Sequence, residues 1–74
     1  MKLVSAGINH ITEDGVRVMD VVLASDSTPS PLPTSGADVD GLNDTDLFAP
    51  LSVLCVVGNG DVYFANESGA FVKQ

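Results

Sequence analysis

The stretch that most limits how this chain can fold is Leu51-Ser52-Val53-Leu54-Cys55-Val56-Val57 with the turn that ends it, Gly58-Asn59-Gly60-Asp61. The run has strand length and is rich in β-branched residues. Asn-Gly offers two residues able to take φ > 0, as a type I′ turn requires, and it is the strongest short-range hairpin signal in the chain. Val62-Tyr63-Phe64-Ala65 returns as the partner strand. With Asn59 and Gly60 as the loop, Val57 opposes Val62, Cys55 opposes Phe64 and Val53 opposes Asn66 on one face. Val56 then opposes Tyr63 and Leu54 opposes Ala65 on the other. Both faces are apolar. An antiparallel strand with one solvated side alternates apolar and polar residues, and this one does not. The hairpin is therefore expected inside a sandwich or small barrel, or with one face covered by another chain.

More strands flank it. Asn66-Glu67-Ser68-Gly69 is a further turn, with Gly69 suited to the left-handed position of a longer hairpin loop. Ala70-Phe71-Val72-Lys73 follows as a third strand. Upstream, Lys2 to Ile11 is extended, Asp14-Gly15 is a second type I′ pair, and Val16 to Ala24 is the longest strand candidate. A two-residue turn there sets Ile11 against Val18 and Ile8 against Val21. The chain is thus expected to form one all-β domain over residues 1–74, an antiparallel sandwich or barrel of about five or six strands.

Residues 25–47 differ in kind. Pro29, Pro31 and Pro33 alternate along Ser25 to Gly36, and proline fixes φ while holding the preceding residue in β or polyproline II geometry. Such a segment suits an extended arm laid across a neighbour. An acidic, turn-rich stretch from Ala37 to Asp46 completes an unusually long loop for so small a domain, and loops of that length are usually functional or mobile.

Composition narrows the partners. Ten acidic and three basic residues give a net charge of −7, and Lys2, Arg17 and Lys73 are isolated. Phosphate neutralisation needs clustered cations, so neither nucleic acid nor an anionic membrane surface is an expected partner. Met1 to Gly7 is too short and too soon interrupted, at Asn9 and His10, to read as a secretion signal. One cysteine and one histidine exclude an internal disulfide and a Cys/His zinc site. Small domains without such supports commonly rely on oligomerisation.

Sites with chemistry are few. Asp38, Asp40, Asn43, Asp44 and Asp46 surround Gly41 and offer oxygen ligands for calcium. Aligning Gly41 with the glycine of a calcium loop, however, puts Gly36 at the first ligand place and Leu47 at the last. A solvated turn explains the same residues, and no metal or cofactor is expected. His10 is the sole general-base candidate near neutral pH and stands in no nucleophile signature, so no catalytic residue is assigned. Cys55 belongs to the apolar run, where a free thiol acts as a small hydrophobe. Phe64 and Phe71 are assigned to the core. Tyr63 fits either the core or an interface anchor with its hydroxyl at a rim. Pro29, Pro31, Leu32, Pro33 and Tyr63 are the residues expected to meet a partner.

Taken together, Ser30 to Leu42, Phe48 to Leu54 and Val62 to Val72 resemble short proteins from the structural-gene cassettes of tailed bacteriophages and prophages of Gram-positive bacteria. The likeness runs from about Val16 to the C-terminus and rests on turns and strands, without a catalytic motif. It implies a virion component made in the host cytoplasm, of the head decoration or accessory type. Its partners would be the major capsid protein or another virion protein, with the chain oligomeric or bound to a lattice. A neck or tail component, or a small calcium-dependent binding module, is the alternative.

Overall fold

The computed structural model describes all 74 residues, Met1–Gln74, and contains six strands in one open sheet. The strands are β1 (Lys2–Ile11), β2 (Arg17–Ser25), β3 (Leu47–Phe48), β4 (Val53–Val56), β5 (Asp61–Ala65) and β6 (Phe71–Lys73), with a single 3₁₀ turn at Gly36–Asp38. Their order across the sheet is β1-β2-β4-β5-β6, and β3 pairs with β2 beside the start of that strand. The all-β class holds. The sheet is neither closed nor doubled, and it is mixed: β2 runs parallel to both β3 and β4, while the other pairs are antiparallel.

That parallel pairing explains the long loop. Parallel neighbours cannot be joined by a tight turn and need a crossover of a dozen residues or more, usually a helix. Here residues 26–46 make the crossover without one. The segment folds under one face of the sheet, where Pro33 is fully buried, Val39 is buried, and Leu32 and Leu42 pack on the core. The Pro-rich stretch is thus the cover of this domain's own core. The sheet contributes Met19, Val21 and Leu23 from β2, Leu54 and Val56 from β4, Tyr63 and Ala65 from β5, and Phe71 from β6. Phe48 closes the cluster, its ring centroid 5.0 Å from that of Phe71.

The turns differ from the expected two-residue loops. Glu13-Asp14-Gly15 is a three-residue connection closed by Thr12 N–H to Val16 O, with Gly15 at φ 85°. β1 then shifts register against β2 at Val4 and again at Asn9, so Ile8 opposes Met19 and Ile11 opposes Arg17. The later hairpin has a four-residue loop, Val57 to Gly60, and Val53 opposes Phe64 while Cys55 opposes Val62. The cause lies across the sheet. Val57 and Gly58 donate their N–H groups to Ser25 O and Asp26 O, so the chain follows β2 for two more residues before it turns. The shift is even, so each side chain keeps its face.

One ion pair holds the cover in place. Asp46 is buried, and both its carboxylate oxygens accept from Arg17, Nε at 2.9 Å and Nη2 in closer contact. The carboxylate also accepts from the Asn43 N–H at 2.9 Å, and the Asp46 carbonyl accepts from the Gly36 N–H at 2.8 Å. Gly36 has no room for a side chain there, since a Cβ would sit 2.1 Å from Asn43 O. The hydrogen bonds from Arg17 outweigh desolvation and hold the Asp46 carboxyl below its ordinary value of 3.8, while Asp46 raises the Arg17 guanidinium in turn.

A carboxyl depressed in the folded state stabilises it at pH values above the ordinary one, and that contribution fades as pH falls through the native value. Acid titration of thermal stability should therefore show a loss beginning near pH 4 that D46N lacks. D46A strands the Asn43 N–H and should cost about 1–3 kcal/mol near neutral pH, measured by denaturant unfolding.

Candidate functional site

The covered face of the sheet has its counterpart in a bare one. Strand alternation puts Val22 and Ala24 of β2, Val53 and Cys55 of β4, Val62 and Phe64 of β5, and Val72 of β6 on the opposite side. These seven residues form a continuous apolar surface across four strands, and no element of the chain lies over it. Phe64 is 36% exposed and Val72 48%, while the other five are half-buried by their neighbours in the sheet. Phe64 thus lies outside the core to which the sequence assigned it. Polar groups rim the face: Lys2 of β1 opposes Ala24, and Asp20 accepts from the Asn9 amide at 3.2 Å.

One rim residue is unusual. Leu51 is 76% exposed and has φ 69°, the only non-glycine residue in the left-handed region. It follows Pro50, and the Ser52 N–H bonds Ala49 O at 3.1 Å, the arrangement of a type II turn. That turn favours glycine or asparagine at Leu51's position, and an L-residue with a full side chain there costs roughly 1–2 kcal/mol. The excursion also interrupts the ladder along β2, and the buried Ser52 repairs it. Its hydroxyl accepts from Val21 N–H and donates to Met19 O, both at 3.2 Å. The result is a strained turn that presents a large apolar side chain to solvent. Beside it, a shallow cleft of about 330 Å³ opens between Ser5, Asp20, Val22, Pro50, Leu51 and Val53.

The residues assigned to a partner from sequence have separate fates. Pro33 and Tyr63 face the core, Leu32 packs against it, Pro29 is half-buried, and Pro31 is exposed. They do not gather into one surface. Tyr63 alternates inward and its neighbours Val62 and Phe64 outward, so the outward anchor on β5 is Phe64. The two-faced apolarity of β4 was visible in the sequence, but which face the crossover would cover was not. Leu51 left a signal too, since a leucine after proline in a turn is out of place.

The acidic loop does not converge on a point. Asp46 is engaged by Arg17, the Asp38 carboxylate accepts from the Thr34 N–H at 3.0 Å, and no three acidic, histidine or cysteine side chains come together. His10 bonds Asn9 Oδ1 at 2.8 Å on the exposed β1 and does not line the cleft beside Leu51. Cys55 lies at the centre of the bare face and is half-buried. What this arrangement can do chemically is exclude water from an apolar partner surface.

If Leu51 is kept for contact rather than folding, L51G should stabilise the isolated chain by about 1 kcal/mol by relieving the left-handed strain. Its Tm should rise by several degrees. An unchanged or lowered Tm would show that Leu51 contributes packing that offsets the strain.

Comparison of the chain with family models, curated proteins and solved structures returns no match.

Proposed function

We propose that the chain is a structural protein that acts by protein–protein contact, docking the bare face of its sheet onto a larger assembly. The observation that carries this is the continuous seven-residue apolar surface on the side of the sheet opposite the crossover. Contiguous exposed apolar patches rimmed by polar groups are a mark of interaction surfaces. Leu51 supports the same conclusion, since backbone strain at an exposed apolar residue is retained where a contact requires it.

The assembly in view is the virion of a tailed bacteriophage. The resemblance of Ser30 to Leu42, Phe48 to Leu54 and Val62 to Val72 to structural-cassette proteins supports that step. Within the virion the role proposed is head decoration, with the major capsid protein as the surface covered. An acidic chain of this size, with its apolar side turned to the lattice and its charged loops outward, suits such a place.

Mass spectrometry of fractionated particles tests the assignment. The chain should appear with the heads, and F64D combined with V72D should abolish its incorporation while the free variant keeps its circular dichroism spectrum. Recovery with necks or tails would move the protein within the particle. Absence from particles would overturn the virion assignment, and normal incorporation of the double variant would overturn the sheet-face contact.

A further inference from the structure

The free side of β1 is the longest edge of the sheet, and β1 is exposed along almost all of its length. Natural edges are commonly guarded by charged side chains or proline. From Leu3 to Ile11 this strand has neither, and only the register shifts at Val4 and Asn9 interrupt it, although the chain carries ten acidic residues elsewhere. The direction of its backbone groups follows from β2. Met19 O accepts from the Ala49 N–H and the Val21 N–H donates to Ser52 Oγ, both away from β1. In an antiparallel pair a residue's N–H and C=O point to the same side, and bonded and non-bonded pairs alternate. Ala6 and Ile8, which oppose Val21 and Met19, therefore turn these groups outward, while Gly7 turns its own toward Asp20.

We infer that this edge pairs with the same edge of a second copy, antiparallel, about a two-fold axis that passes through the sheet at Gly7. In that register Ala6 of one copy opposes Ile8 of the other, so the outward N–H and C=O groups of both find partners. Leu3 meets Ile11 on the face that carries the core, and Ser5 meets His10, beside the inserted Asn9, on the other. Lys2 meets Thr12, beside Glu13 and Asp14 in the turn of the second copy. Cross-strand pairs of like polarity and opposite charge stabilise a sheet. Moving the axis to Ala6 instead sets Lys2 against His10 and takes it away from Glu13 and Asp14. The edge has its cation at one end and its two acids just past the other, so it complements itself only when antiparallel, as an isologous dimer requires.

This inference goes beyond the function proposed above and does not depend on it. An axis perpendicular to the sheet keeps the bare apolar faces of both copies on one side, so the dimer presents a doubled docking surface.

Sedimentation of the full chain across micromolar concentrations should show a monomer–dimer equilibrium. K2E places a third carboxylate beside Glu13 and Asp14 and should weaken the dimer about tenfold. Adding E13K and D14K to K2E should restore it. A6P removes an outward N–H at an edge position that proline tolerates, and should give a folded monomer. If A6P fails to fold, the charge reversal and its rescue still decide the matter. A chain that stays monomeric throughout, or a dimer indifferent to K2E, would overturn the inference. So would a dimer broken by F64D and left intact by K2E, which would place the contact on the sheet face.

Discussion

The structure depends on Asp46. Its carboxylate takes both donors of Arg17 from the start of β2 and the Asn43 N–H from the crossover, and its carbonyl takes the Gly36 N–H. These bonds bring the middle and the end of residues 26–46 to one point beside the start of β2. The crossover contains no strand and only one 3₁₀ turn, so these bonds and its own apolar contacts hold it in place. With the loop in place, Pro33, Val39, Leu32 and Leu42 cover the β2–β4–β5 face and complete a core that the sheet alone cannot seal. A polar contact thus decides where apolar burial happens. Buried ion pairs are weak evidence for stability and better evidence for specificity, and here the specificity concerns which face is covered.

The sequence made some of this legible and hid the rest. Strand positions and the three hairpins could be read from β-branched runs and Gly-containing turns, since both are local preferences. Gly15, Gly60 and Gly69 all take positive φ as their turns require. Registers were not legible, because they depend on groups remote in sequence: Val57 and Gly58 follow Ser25 and Asp26, and that pairing delays the turn. The parallel pairing of β2 with β4 was hidden for the same reason. A crossover normally announces itself as an amphipathic helix, and here prolines and aspartates take its place. Pro33 looked like part of an exposed arm and is core, since proline is apolar as well as stiff. The apolar double face of β4 was the one tertiary feature plainly written in the chain.

That double face connects fold to function. The crossover covers one side of the four-strand surface, and the second side remains bare. The alternation that buries Leu54 and Val56 presents Val53 and Cys55, and the alternation that buries Tyr63 and Ala65 presents Val62 and Phe64. Leu51 extends the bare side at its rim through a backbone conformation that leucine resists. A sheet face turned to water commonly carries polar residues at such positions. Under the proposed docking, a partner supplies the second cover that a sandwich would have supplied from its own chain.

Cys55 makes that claim directly measurable, because the only thiol in the chain lies in the middle of the bare face. The rate of its modification by a small thiol reagent in the native free protein reports whether anything covers that face. The account predicts steady reaction without unfolding, at a rate independent of global stability, and protection once the chain is assembled with its partner. Reaction only on global unfolding in the free chain would mean that both faces are sealed, and would contradict it.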